Sequence, residues 1–333
     1  MADPTSFSTQ LSTLSPVQRL RNPLDHPLHP RWAGVLLLFL LLLPLVLKAL
    51  EQDFYVGVAS RILIFALAAS SLNLVLGFGG MVSFGHAAFV GLGGYTVGVL
   101  VQHGLTSVWL AWPLAALVGG LAAVLIGAIC LRTQGVYFIM ITLAFAQMLY
   151  YLAVSLKVYG GDDGLMLAAR NTWGLVDLAG DNAFYYTVLA VLVAVFVGLY
   201  RLLNAPFGHA LQAVRDNDTR MAALGHPVRR IRLTAFALGG ALAGLAGALL
   251  ANQAGFVSPA GMAWSQSGML MVMVILGGVG RLYGGLVGAT VFLVAEELLA
   301  THTIHWQLGL GLVLLAVVLR APNGVLSLLM PKK

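Results

Sequence analysis

Apolar runs long enough to cross a bilayer recur along this chain with almost no charge inside them, and that property decides what it can fold into. A spanning helix needs about 20 mostly apolar residues, within a usual range of about 17–25. Candidate spans lie near 33–47, 56–76, 81–101, 108–130, 136–156, 184–203, 231–251, 267–280, 283–300 and 306–320. The run 267–280 is short and 81–101 is interrupted by glycines. Either is open to being a re-entrant or broken helix buried in protein, where irregular backbone is tolerated. Composition agrees, with 59% apolar and only 9% charged residues, against roughly 25% charged in soluble domains. The expected fold is an all-α polytopic membrane protein of about ten transmembrane helices, with counts of about eight to ten open.

Basic residues set the orientation, because lysine and arginine accumulate on the cytoplasmic side. With ten spans and the N-terminus inside, both termini are cytoplasmic. All 18 Lys and Arg residues then fall inside except Lys48, Arg61, Lys157 and Arg170. The acids Glu51, Asp53, Asp162, Asp163, Asp177, Asp181, Glu296 and Glu297 fall outside. Residues 1–31 carry Pro4, Pro16, Pro23, Pro27 and Pro30 without helical periodicity and read as a cytoplasmic arm. The first apolar run reads as an uncleaved span, since Leu47-Lys48-Ala49-Leu50 lacks a small-residue cleavage pattern. Residues 32–328 form the membrane domain, with an outer loop at 157–183 and a cytoplasmic loop at 204–230, and 329–333 form a cytoplasmic tail.

Several chemistries are missing. None of Lys48, Lys157, Lys332 and Lys333 follows a glycine, so the chain has no Walker A motif and no ATP hydrolysis by that route. Cys130 alone permits neither a disulfide framework nor a cysteine metal cage. His302 and His305, near Glu296 and Glu297, read as an exposed turn, with a weak metal site as the alternative; no metal or cofactor is expected in this chain. The net charge of +6 reads as the loop bias just described and not as a nucleic-acid footprint. Ionisable groups at membrane depth are costly and retained for function, and His86 is the one placed deep here, so coupling to an ion gradient is disfavoured. The 39 glycines include small-xxx-small pairs at Gly94/Gly98, Gly240/Gly244, Gly280/Gly284 and Gly284/Gly288, which predict close helix contacts.

Polarity within the spans is otherwise uncharged. Ser70, Ser71, Asn73, Ser83, His86, Tyr95 and Thr96 fall in the second and third segments, and Thr142, Gln147, Tyr150 and Tyr151 in the fifth. Buried polar groups need partners, so these residues either bond between helices or line a wet path. The candidates for the path are Asn73, Ser83, His86, Tyr95, Thr142, Gln147 and Tyr150. The cytoplasmic loop predicts two short amphipathic helices. The first contains Gly208, Ala210, Leu211 and Val214, and the second, Thr219-Arg220-Met221-Ala222-Ala223-Leu224-Gly225, is stopped by Gly225 and Pro227. Such a pair serves either as a docking surface for another protein or as an interfacial element on anionic lipid.

The stretch Ser71-Leu72-Asn73-Leu74-Val75-Leu76-Gly77-Phe78-Gly79-Gly80-Met81-Val82-Ser83-Phe84-Gly85-His86-Ala87-Ala88-Phe89 resembles the LivM-type permeases of branched-chain amino-acid ABC importers. Gly135-Val136-Tyr137-Phe138 with Thr142-Leu143-Ala144-Phe145, the outer Gly160-Gly161-Asp162-Asp163-Gly164-Leu165, and the block Phe236 to Leu250 with Val257-Ser258-Pro259 and Leu276-Gly277-Gly278-Val279-Gly280 are similar to further stretches of that family. Coverage runs from about Ile64 to Leu328. The resemblance implies a ten-span importer permease of the bacterial inner membrane, paired with a second, related permease. It also implies two cytoplasmic ATPases, which use the ATP and Mg, and a periplasmic binding protein that docks near Asp162 and Asp163. The loop 204–230 then becomes the ATPase-coupling loop, through Gly208, Ala210, Leu211, Val214, Met221, Ala222, Ala223 and Gly225. Met221 stands where such loops commonly carry an acid. Branched-chain amino acids are the implied cargo. Urea, short amides or aromatic carboxylates are alternatives within the family, and an ion-coupled carrier or channel is the alternative outside it.

Overall fold

The structure is a computed structural model that describes residues 30–49, 54–174, 180–302, 305–321 and 324–329. Most of the N-terminal arm and the end of the C-terminal tail lie outside the described residues. The first half of the chain forms α1 (Pro30–Ala49), α2 (Phe54–Asn73), α3 (His86–Gln102), α4 (Val108–Cys130) and α5 (Val136–Ser155). Then come α6 (Asp181–Asn204) and two short helices, α7 (Pro206–Asp216) and α8 (Asp218–Ala223). The remainder forms α9 (Val228–Ala254), α10 (Trp264–Gly277), α11 (Gly284–His302), α12 (Trp306–Arg320) and α13 (Leu326–Leu329). Among the described residues, helices α2, α4, α5, α6, α9 and α11 are the six long and apolar enough to cross a membrane, and α1, α3, α10 and α12 are shorter apolar helices. The protein is an all-α polytopic membrane protein.

Helix α9 is the axis of the bundle and packs most extensively on α4 and α3, then on α2. Its sequence explains why. Between lipid-solvated helices no hydrophobic force remains, so association rests on close van der Waals contact, which small residues allow. Gly240 and Gly244 set their backbone against Ala115 and Gly119 of α4, and a methyl added to Gly119 would stand 3.0 Å from the Gly244 Cα. Gly244 also meets Gly93 of α3, and one turn on Gly247 abuts the Val90 carbonyl. Gly284 and Gly288 pack on the backbone of Gly277 and its neighbours in α10 in the same manner. Two expected pairs are corrected. Gly98 faces the Leu165 side chain and not a helix backbone, and Gly280 lies in the α10–α11 turn, so Gly280/Gly284 is no helix-face pair.

Of the glycine-broken segment and the short one, the first loses its start to non-helical chain and the second is a short continuous helix. After Asn73 the α2 backbone widens into a π-helical turn, Leu74–Phe78, and residues 79–85 are not helical. The expected span 81–101 therefore begins late, at His86, after Gly80, at φ 68°, turns the chain out of the helix. Helix α10 has 14 residues and ends at Gly277. Beyond it Gly278 has a φ of 115°, outside the range open to most side chains.

On the flank, α1 leans on α6 through a backbone vacancy. Pro44 has no N–H for the Leu40 carbonyl one turn back. The fully buried Tyr185 supplies the donor, its hydroxyl 2.8 Å from Leu40 O. At the end of the bundle opposite α7 and α8, a two-residue antiparallel ribbon pairs β1 (Leu165–Met166) with β2 (Phe256–Val257). Beside it, buried Asn171 donates its backbone N–H to Asn252 Oδ1 at 2.7 Å, and Asn252 Nδ2 donates to Asn171 Oδ1 at 2.8 Å. These tie the loop after α5 to the end of α9.

Glycine packing at the axis gives the first test. Gly244→Val drives a side chain into the Ala115 carbonyl, which cannot rotate away. We expect a cost above the usual overpacking penalty of about 1–3 kcal/mol, seen as loss of the monodisperse detergent-extracted fraction. Gly198→Ala, at a position with nothing within 4 Å, keeps that fraction.

Candidate translocation path and coupling loop

Helix α3 starts inside the bundle, so its first N–H groups cannot turn to water and need partners. Hydroxyls from three elements supply them. Phe84 N–H donates to Thr142 Oγ1 of α5 at 3.3 Å, Gly85 N–H to Ser83 Oγ at 3.2 Å, and Ala87 N–H to Ser267 Oγ of α10 at 2.9 Å. His86, fully buried, lies with Nε2 2.8 Å from Ser71 Oγ. The Ser71 hydroxyl already donates to Ala68 O at 2.7 Å. Its one proton is thus committed, the imidazole must donate through Nε2, and Nδ1 is an acceptor with no partner among the described residues. The structure thus brings Ser83, His86 and Thr142 together at one helix start. Ser267 belongs with them; its signal was the polar Ser265-Gln266-Ser267 ahead of a short apolar run.

The other path candidates lie elsewhere. Tyr95 faces an apolar cavity of about 340 Å³ between α3, α4 and α5, with Leu92, Thr96, Leu149, Tyr159 and Met262 around it. Its hydroxyl is buried and without a partner among the described residues. Gln147 and Tyr150 are half-buried on α5, Tyr150 against the ring of Tyr151 at 5.2 Å. Asn73 joins none of these. Its Oδ1 accepts from Gly280 N–H at 3.0 Å and its Nδ2 donates to Arg281 O at 2.7 Å, clamping the α10–α11 turn to α2.

In the loop 204–230, Pro206 opens α7 at a position where its missing N–H costs nothing. Leu211 and Val214 are fully buried, and Gly208 sits on the Leu203 backbone. These three face the bundle and bolt α7 to it, with Ala210 half-buried beside them. The side chain of Asn217 caps α8 by accepting from Arg220 N–H at 2.8 Å. Met221 points inward, whereas Ala222, Ala223, Leu224 and Gly225 are exposed. Leu224, within that stretch but not among the expected coupling residues, is 68% exposed beside Ala222 and Ala223. Asp218 anchors α8 sideways, accepting from Gln134 at 3.0 Å and pairing with Arg232 at 3.4 Å. Arg215, read from sequence as loop charge alone, reaches back to α2, with Nη1 2.8 Å from Gly77 O.

At the ribbon end, Asp162 and Asp163 lie exposed in a 3₁₀ turn, Gly161–Asp163, with exposed Val158 and Met166 nearby. Gly164, at φ 82°, then folds the chain against Val257 O to enter β1. Among the described residues no group of three potential metal ligands occurs, so His302 and His305 have no such cluster around them.

Over residues 54–319 the chain matches the family described as the permease component of the branched-chain amino acid transport system. The chain belongs to this permease family. It is similar to the high-affinity branched-chain amino acid transport permease LivM of Escherichia coli, 29% identical over 83% of this chain and 71% of the relative. The LivM of Salmonella typhimurium is 30% identical over the same shares. The L-arabinose ABC transporter permease AraH of Azospirillum brasilense is 26% identical over 86% of each chain. No solved structure matches.

The hydroxyl-capped helix start yields a stability prediction. Ser267→Ala strands the buried Ala87 N–H and is expected to cost about 1–3 kcal/mol, read as a lower unfolding temperature in detergent. Ser265→Ala, at an exposed position, leaves that temperature unchanged.

Proposed function

We propose that this permease forms, with a second, related permease, the membrane path of an ATP-driven importer in the bacterial inner membrane. The observation that carries the reading is the family match across 54–319, joined to a two-helix loop whose exposed tip is apolar. LivM- and LivH-type relatives both match the chain, which supports pairing of two related permeases. In this reading ten spans place both termini and the loop 204–230 in the cytoplasm, where two ATPase subunits dock on Ala222, Ala223, Leu224 and Gly225. These subunits bind ATP and Mg. A periplasmic binding protein docks at the other end, on Asp162 and Asp163 and the apolar side chains beside them.

Substrate enters through the cavity at Tyr95 and passes the hydroxyl-rich start of α3, where Ser83, His86 and Thr142 offer weakly polar, uncharged contacts. Gln147 and Tyr150 extend that lining on α5. A neutral path suits a zwitterion whose charges cancel, and branched-chain amino acids are the cargo supported by the LivM relatives. The arabinose permease among the relatives argues that the scaffold does not itself dictate cargo. Selectivity then rests largely with the binding protein. An ion-coupled carrier is the weaker reading, because the path offers one buried histidine and no carboxylate.

The docking assignment is tested at the exposed leucine. Leu224→Glu is expected to lower recovery of the ATPase subunits with the affinity-purified permease pair by about tenfold, the scale of removing one buried interface anchor of roughly 1.4 kcal/mol. Membrane insertion stays intact. Full recovery of the ATPases with this variant rules the assignment out.

A further inference from the structure

At the π-helical end of α2 the Gly77 carbonyl takes no backbone hydrogen bond. Past Phe78 the chain turns away. Gly79, Gly80 and Met81 N–H groups bond to Leu74, Leu76 and Val75 carbonyls. Gly77 O is instead met by the guanidinium of Arg215, the penultimate residue of α7, at 2.8 Å. Asp216 Oδ1 holds the other side of the same guanidinium, accepting from Nε at 3.1 Å and Nη2 at 3.0 Å. The side chain is therefore oriented from both edges.

Two glycines make room for this reach. Gly80, at φ 68°, lies under the Arg215 stem, where an added methyl would stand 2.7 Å from Cγ. Gly280, in the α10–α11 turn, lies so close that its added methyl would be 3.5 Å from Nη1. Gly280 in turn abuts Gly77 and is clamped by Asn73. One side chain from the short helix α7 thus touches the junction of two membrane segments. Such π turns are soft places in a helix and recur at functional sites. The chain leaving this one runs directly to Ser83 and His86 at the start of α3.

We propose that Arg215 is a positioning residue for coupling: it ties displacement of α7 and α8 to the π-helical end of α2 and to the α10–α11 turn, so that both move together. The proposal rests on the reading of 204–230 as the ATPase-coupling loop. Leu211 and Val214 bind α7 to the bundle by non-directional apolar contact. Arg215 adds a directional, charge-assisted bond to the segment that leads to the path. Pulling on Gly77 O shifts the loop 79–85 and with it the hydroxyl cap of α3.

The experiment uses the complete transporter, both permeases with the ATPases and binding protein, in proteoliposomes. The readout is substrate taken up per ATP hydrolysed. Arg215→Ala is expected to assemble with its ATPases and retain basal hydrolysis, while uptake per ATP falls about tenfold, the scale of one lost charge-assisted hydrogen bond. Arg215→Lys, which keeps a donor but not the oriented fork, is expected to restore part of the ratio. A purely structural Arg215 lowers the amount of folded complex without changing the ratio, and an unchanged ratio overturns the proposal. Loss of the ATPases from the Arg215→Ala complex also overturns it, by making Arg215 a docking residue, while leaving the coupling reading standing. If the alanine variant does not fold, the lysine variant carries the same test, a reduced ratio supporting the proposal and an unchanged one overturning it. The coupling reading itself fails separately, if the unaltered chain takes up substrate without ATPases.

Discussion

Backbone-to-backbone contact along α9 is the interaction on which the rest of this structure depends. In lipid, helices gain nothing by hiding apolar side chains from one another, so a bundle must be held by how closely its backbones approach. Gly240, Gly244 and Gly247 let α9 touch α4 and α3 at once, and Gly277, Gly284 and Gly288 do the same for α10 and α11. With these helices locked, α3 is free to begin in mid-bundle. Its unpaired amides then need the hydroxyls of Ser83, Thr142 and Ser267.

The same logic separates two kinds of contact. Axis contacts involve backbone atoms, which have no alternative rotamers. Where the segments break, backbone contact of Gly77 with Gly280 is joined by side-chain bonds, two from Asn73 to the α10–α11 turn and one from Arg215 to Gly77 O. Directional side-chain bonds thus supplement backbone contact where the helices break, which is where the proposed path and coupling loop meet.

Much of the fold was legible in sequence, because apolar runs and glycine spacing are local. Each expected span has a helix; the segment read as glycine-interrupted starts late, and the one read as short is a 14-residue helix. The bundle's long-range bonds were not legible. Ala87 and Ser267, or Asn73 and Gly280, are far apart in the chain, and periodicity says nothing about which distant hydroxyl meets which amide. Asn73 was expected beside the other polar candidates, yet its amide is wholly engaged with the α10–α11 turn. Gly208, Leu211 and Val214 were grouped with the coupling surface because an amphipathic pattern does not say which face meets which partner. Here the apolar face meets the bundle, and the exposed edge is Ala222 to Gly225.

The central claim is that this chain supplies a path and a lever but no energy of its own. Uptake into proteoliposomes measures it directly, comparing the permease pair alone with the pair assembled with ATPases, binding protein and ATP. The account predicts uptake only in the full assembly, with none from the pair alone under an imposed proton or sodium gradient. Gradient-driven uptake by the pair alone contradicts it.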